Sequence, residues 1–278
     1  MNPTYIARCA QLAMLLEVSA TPKPGNVDRN HDFDDVKYEH FLASAIGVGP
    51  IFERAAIAKK GIGSFIRESV EESIRWQRGG NTHFGAFLLL VPLVMAAGND
   101  DIKSVTKVVQ DTSVEDAVEF YKAFRCIKVR VGSVKELSID DPNSVNEIKR
   151  RELTLYDLMK ISSKYDAIAH EWISGFHRTF RGASVLEEKL GQMSTNNAII
   201  FTYLTLLSER PDTLIQSKFG LEKAIKVSEK ASTLIENWDL GAISDFDEEL
   251  IREGANPGST ADMVVGSLFI ALLGGVKP

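Results

Sequence analysis

Cysteine is scarce. The chain of 278 residues has two, Cys9 and Cys126. That count excludes a cysteine-based metal cluster and argues against a disulfide scaffold. Long hydrophobic runs are missing as well. The two longest, "FGAFLLLVPLVMAAG" and "MVVGSLFIALLGGV", fall short of the roughly 20 residues that cross a bilayer. The N-terminal segment carries Gln11 and Glu17 at helical spacing. It lacks the basic start and unbroken apolar run of a signal peptide. The expectation is a soluble, cytoplasmic protein without a membrane partner. A basic excess is also absent, with a net charge of −6 and a pI near 5.5, so nucleic acid is not an expected partner. An anionic small molecule remains open to it, because a few lysines, backbone N–H groups or a metal hold an anion despite the global sign.

Familiar catalytic signatures are lacking too. There is no GxxxxGK[ST], no GxGxxG after a strand and no GxSxG, so any ATP binds by a scheme other than the P-loop. His170 and His177 stand seven apart, whereas a zincin helix needs histidines four apart. An oxygen-ligated Mg²⁺ fits the composition. The sequence does not set the oligomeric state.

What is present is helical. With 44% hydrophobic and 25% charged residues, the chain has ample material for a core. The periodicity is helical nearly everywhere, and the expected class is all-α, one domain over residues 1–278. Ile66, Val70 and Ile74 stand four apart, with Ser64 and Gly79 as expected helix ends. Ser113 and Asp116 read as a capping box ahead of the stripe Val114, Ala117, Val118 and Tyr121. Residues 154–180 read as one or two helices. Only Cys126–Gly132 suggests a strand, and one short strand makes no sheet. A polar loop over Gly132–Glu147, with a turn at Asp141-Pro142-Asn143, separates two helical halves. Phe84–Ala97 and Ala261–Leu273 are apolar on every side, which predicts two central helices, the first kinked at Pro92.

Each central helix begins at a polar knot, "GGNTH" (Gly79–His83) and "NPGSTAD" (Asn256–Asp262). Buried helix starts need acceptors for their N–H groups and favour negative charge. Ser259 with Asp262 is a possible local capping box, and Asn81 or Thr82 is suited to the other start. Two such knots also suggest helix ends that together take a phosphate or carboxylate. Lys23, Gly25 and Arg29, from "TPKPGNVDRNHDFDD" (Thr21–Asp35), would suit the same anion.

Four segments carry a resemblance. "PKPGNVD", "GGNTHFGAF", "RPDTLIQS" and "NPGSTADM" are similar, in matching order, to signatures of the triphosphoribosyl-dephospho-CoA synthases: PKPG-x-VD, G-x-NTHKG, PDT-x-x-x-S and an SPGGSADL-like helix start. The resemblance covers almost the whole chain. It implies an all-α enzyme that moves the 5-triphosphoribosyl group of ATP onto the 2′-hydroxyl of dephospho-CoA and releases adenine. By matched position it implies phosphate contacts from Lys23 and His83, and from backbone near Gly25 and Gly258. Arg29, Asn81, Thr82 and Ser259 join the nucleotide-binding set. Glu71, Glu171 and Asp262 are the catalytic candidates, as base or as stabilisers of an oxocarbenium-like state. Mg²⁺ is the implied cofactor, with Asp28 and Asp35 as possible ligands, Asp28 and Asp262 being equally suited to ribose hydroxyls.

The sequence also departs from the pattern. The family lysine after Asn-Thr-His is Phe84, a GARGE-like segment reads "AIAHE" (Ala167–Glu171), and the second glycine of the last motif is Ser259. Two cations suited to phosphate are thereby missing, which leaves open another acceptor, such as a pterin-type cofactor intermediate, or a nucleotide-binding protein without turnover.

Overall fold

A computed structural model describes residues 1–99, 101–126, 137, 141 and 143–278. In chain order the helices are α1 (Pro3–Ser19), α2 (Tyr38–Gly47), α3 (Gly49–Ile57), α4 (Ile62–Trp76), α5 (Phe84–Gly98), α6 (Val105–Gln110), α7 (Val114–Cys126) and α8 (Ser144–Arg150). There follow α9 (Leu155–Ser162), α10 (Ala167–Ser174), α11 (His177–Leu190), α12 (Thr195–Glu209), α13 (Thr213–Phe219), α14 (Leu221–Glu236), α15 (Leu240–Glu253) and α16 (Gly258–Leu273). The described residues contain no strand, as the helical periodicity predicts. No described helix is long and apolar enough to cross a membrane. The strand-like reading after Cys126 and the turn at Pro142 lie outside the described residues.

The chain groups into two compact units. One comprises Met1–Gln11 and Ala43–Phe176, the other Leu12–Leu42 and His177–Pro278. The divisions fall at Gln11–Leu12, Leu42–Ala43 and Phe176–His177. Each unit owns one of the two apolar helices. In the first, α5 is buried from Ala86 through Ala97 and packs against α3, α4, α6 and α10. Pro92 lies inside it. In the second, α16 is buried from Ser259 to Ala261 and again from Met263 to Phe269, against α11, α12 and α13. The approach to α11 is close: a Cβ at Gly182 would lie 2.3 Å from Ser267 Oγ, whose hydroxyl donates to Thr179 O at 2.9 Å.

Several helix ends differ from their sequence expectation. α4 starts at Ile62, without Ser64 as its cap. Asp116 Oδ1 accepts from Gly63 N at 2.9 Å instead. The same carboxylate closes the expected box on α7, accepting from Ser113 N and Oγ while Ser113 Oγ accepts from Asp116 N. Ile74 is exposed, since the inner face of α4 turns through Ser69, Val70 and Ser73. Residues 154–180 form three helices rather than one or two. Asp166 caps α10 by accepting from Ala169 N at 2.7 Å, and Gly175, at φ 72°, ends it. Burial pushes the Asp166 carboxyl above its ordinary range, partly offset by these N–H groups.

Candidate active site

In the second unit the segment after α1 turns inward. Lys23, Asn26 and Asp28 are buried, which a solvated connector would not do with its charges. Lys23 Nζ meets Glu17 Oε1 in a buried ion pair and donates to Glu17 O at 3.0 Å. Burial drives the Glu17 carboxyl up, Lys23 pulls it back and Asp28 adds to the rise. Gly25 has φ 74°, and a Cβ there would stand 2.3 Å from Ala255 O, so the position demands glycine on two counts. Its N–H donates to Asp247 Oδ1 on α15 at 2.9 Å. Tyr203 on α12 donates its hydroxyl to Pro24 O at 2.8 Å. Its pKa is raised well above the usual phenol, by burial first and then by Asp212, Glu17, Asp247 and Asp28.

Asp28 organises the loop. Its Oδ1 accepts from Asn30 N at 2.7 Å and His31 N at 3.0 Å, and its Oδ2 from Lys23 N at 3.2 Å. His31 Nδ1 thereby stands 3.7 Å from Asp28 Oδ1 and 3.0 Å from Asp247 Oδ2. Burial pushes the Asp247 carboxyl up to about 6, with Asp28 adding to the rise against the Gly25 N–H, His31 and Lys23. Asp35 is exposed and stands outside this cluster. Arg29 is exposed, donating to Asn196 Oδ1 at 3.0 Å.

The start of α16 is held from outside its own helix. Asp212 Oδ2 accepts from Thr260 N and Thr260 Oγ1, each at 2.8 Å. Asp212 Oδ1 accepts from Leu214 N and Ile215 N, so one carboxylate serves α13 and α16. Burial raises its pKa against these donors. Ser259 Oγ meets Thr213 Oγ1 at 3.1 Å, and Ser259 is buried. Gly258 and Asp262 are half-buried in the first turn.

The first unit carries a hydroxyl network at the start of α5. His83 is buried, with Nδ1 2.9 Å from Ser44 Oγ. Ser73 Oγ donates to Ser44 Oγ at 2.7 Å and lies 3.3 Å from Thr82 Oγ1. Asn81 Oδ1 accepts from Phe84 N at 3.0 Å, the expected capping role. Phe84 joins an aromatic cluster, with Phe120 and Phe124 at centroid distances of 6.0 and 4.5 Å. Glu71 accepts from Arg67 Nη1 at 2.6 Å, while Arg67 Nε reaches Glu119 at 2.5 Å. Those two carboxylates hold the Arg67 pKa above its ordinary value. Glu171, on α10, is fully buried.

The structure therefore gathers Lys23, Gly25 and Asp28 in one unit, and Asn81, Thr82 and His83 in the other. Glu17, His31 and Asp247 were not foreseen. For the two acids the sequence signal was a charge on an apolar stripe: Glu17 follows Ala13 and Met14 by four and three, and Asp247 lies between Ile243 and Leu250 at the same spacings. Both read as ordinary solvated acids until burial is known. Ser44 and Ser73 gave no signal beyond being small.

An all-α protein with a buried lysine–carboxylate cluster and a histidine at its edge, beside a glycine turn, has the donors of a helical enzyme that handles charged small molecules. Residues 3–277 match the family described as ATP:dephospho-CoA triphosphoribosyl transferase, and the chain belongs to that family of transferases. A Streptococcus equi subsp. equi protein described as a probable 2-(5''-triphosphoribosyl)-3'-dephosphocoenzyme-A synthase is 25% identical, with 96% of each chain covered. The Klebsiella pneumoniae synthase of the same description is also 25% identical, over 98% of this chain and 91% of its own. A crystal structure from Archaeoglobus fulgidus, described as a candidate triphosphoribosyl-dephospho-CoA synthase, superposes with a TM-score of 0.70 at 33% identity, covering 85% of this chain and all of that one.

Proposed function

We propose that this enzyme transfers the 5-triphosphoribosyl group of ATP to the 2′-hydroxyl of dephospho-CoA and releases adenine. The family match over residues 3–277 carries the reading. In the reaction the ribose C1–N9 bond breaks and a C1–O bond forms to the acceptor. The hydroxyl proton goes to a base, and adenine leaves with its ring nitrogen protonated or hydrogen-bonded. The anomeric carbon gains positive charge in between, which a carboxylate stabilises. Glu171, fully buried, suits that stabilising role, since a desolvated carboxylate acts more strongly on a nearby charge. Asp262 and Glu71 are the remaining carboxylate candidates, with Glu71 balanced by Arg67.

In the second unit, phosphate recognition falls to the backbone near Gly258 and to Arg29, since the Gly25 N–H is taken by Asp247 and the Lys23 ammonium by Glu17, so that both hold the loop. In the first unit, the Asn81–Thr82–His83 start of α5 is a candidate triphosphate contact in its own right. A divalent cation, Mg²⁺ in the simplest scheme, would neutralise triphosphate charge. The donor set of Asp28 and its neighbours fits a divalent ion, because a buried Asp247 oxygen there accepts no hydrogen bond.

Phe84 favours a second reading, with an acceptor other than dephospho-CoA. It fills the family lysine position with an aromatic ring packed on Phe120 and Phe124, which removes one phosphate contact. One assay separates the readings. The protein is incubated with ATP and Mg²⁺, with and without dephospho-CoA, and free adenine is measured. Adenine only with dephospho-CoA supports the first reading. Adenine without it supports a different acceptor, including water. Nucleotide binding with no adenine under either condition overturns the first reading and points to an acceptor not supplied or to nucleotide binding without turnover.

A further inference from the structure

We propose that Asp28, His31 and Asp247 form a divalent-cation site built into the second unit, and that its imidazole makes it prefer a first-row transition ion such as Mn²⁺ over Mg²⁺. Its use in turnover rests on the transferase reading above; the binding does not.

The site begins with the loop. Asp28 closes a turn by accepting from Asn30 N and His31 N, and Asp28 N donates to His31 O at 3.1 Å. This fixes the His31 backbone on the Asp28 carboxylate. Asp247 is fixed separately, through Oδ1 and the Gly25 N–H. Its other oxygen is then aimed at His31. Asp247 is fully buried, and Oδ2 accepts no hydrogen bond, nor does His31 Nδ1 make one. The two atoms nonetheless stand 3.0 Å apart. At that separation the contact is close but lacks the alignment of a hydrogen bond.

Lone-pair counting gives the same result. Asp28 Oδ2 has one N–H partner, Asp247 Oδ2 has none and His31 Nδ1 has none. One donor atom from each residue lies within 4.8 Å of the others. A cation held at about 2.0–2.6 Å spreads its ligands to about twice that distance at most, so the spacing is within reach of one ion. Charge points the same way. The groups facing the cluster are Glu17, Lys23, Tyr203, Asp28, His31 and Asp247. Glu17 and Lys23 neutralise one another, and the Tyr203 phenol stays protonated. Two buried carboxylates are left with one imidazole, and uncompensated buried charge is costly unless paired or bound to a metal.

The donor set selects the ion. Mg²⁺ prefers oxygen ligands and keeps its waters, whereas the first-row transition ions, of which Mn²⁺ is the weakest binder and so the most stringent probe, also accept imidazole beside carboxylates. The His31 side chain is 29% exposed, so the cluster has an edge from which the remaining positions could take water or a phosphate oxygen.

The test uses full-length protein without nucleotide. Mn²⁺ is titrated in and the free ion is read by electron paramagnetic resonance, with thermal melting in parallel. The wild type should take up about one ion per chain and melt at a higher temperature with Mn²⁺. Asp247→Asn and His31→Gln should each weaken uptake about tenfold or more and lose the melting shift. His31 is partly exposed, so that variant should fold even if the other does not. Uptake no stronger in the wild type than in His31→Gln overturns the site. Displacement of Mn²⁺ by an equal concentration of Mg²⁺ overturns the preference. Mn²⁺ uptake without adenine release would leave the site standing and remove the transferase reading; adenine release without Mn²⁺ uptake would do the reverse.

Discussion

The two apolar helices begin in different ways. At α5 the neighbours are an amide, hydroxyls and an imidazole: Asn81 caps Phe84 N, and His83, Ser44, Ser73 and Thr82 share hydroxyl contacts. At α16 the cap is a buried carboxylate from elsewhere in the chain, Asp212, and the same unit buries Glu17, Lys23, Asp28 and Asp247. A hydroxyl network can lose one member and re-form around water. A network of buried charges fixes its partners, because any unpaired member carries its full desolvation cost. Substitutions around the α16 start and the Lys23 loop should therefore act more strongly than those around the α5 start.

The ion pair of Lys23 with Glu17 gives the largest test of that contrast. Glu17→Gln leaves an ammonium buried with only the Glu17 carbonyl and an amide for company. The expected loss is about 3–5 kcal/mol, measured by denaturant unfolding at neutral pH. Adding Lys23→Met should restore most of it, since an apolar pair of similar volume replaces the charges. The hydroxyl network sets the control: Ser44→Ala should cost about 1 kcal/mol. Equal losses for Glu17→Gln and Ser44→Ala would erase the distinction between the two regions.

Asp212 comes next. Asp212→Ala removes the cap of α13 and the acceptor for Thr260 N and Oγ1 together. An expected loss of about 2–3 kcal/mol follows from one cap and two buried donors left unmade. Asp212→Asn should fall between, because its amide oxygen can still cap α13 but its amide nitrogen cannot accept from Thr260. A full recovery in Asp212→Asn would show that the link to α16 contributes nothing.

Legibility in the sequence followed the length scale of the interaction. Helical class, both apolar helices, the box of Ser113 with Asp116 and the Asn81 cap were readable, because each depends on residues within a turn or two. The Asp116 bond to Gly63 and the Asp212 bond to Thr260 join residues 53 and 48 apart, and no local pattern announces them. Glu17 and Asp247 were hidden in a different way, as charged residues on otherwise apolar stripes. The motif resemblance pointed to Lys23 and Asp28, but not to the partners that bury them. Phe84, read as a missing lysine, is in the structure a packed member of an aromatic cluster.

The smallest effect belongs to Asn81, and it tests the α5 side of the contrast. Asn81 is exposed, and its Oδ1 accepts from Phe84 N at 3.0 Å. Asn81→Ala opens that N–H to water at a helix start already near solvent. An expected loss of about 0.5–1 kcal/mol results, at the low end for a cap. Asn81→Asp should recover it, since a carboxylate accepts the same bond and also favours the positive end of α5. The catalytic readout should diverge from the stability readout. If the α5 start binds phosphate as proposed, Asn81→Asp places a negative charge against the triphosphate and raises KM for ATP, although the fold is as stable as wild type. Unchanged KM in a stable Asn81→Asp variant would remove this helix start from the nucleotide site and leave it a purely structural cap.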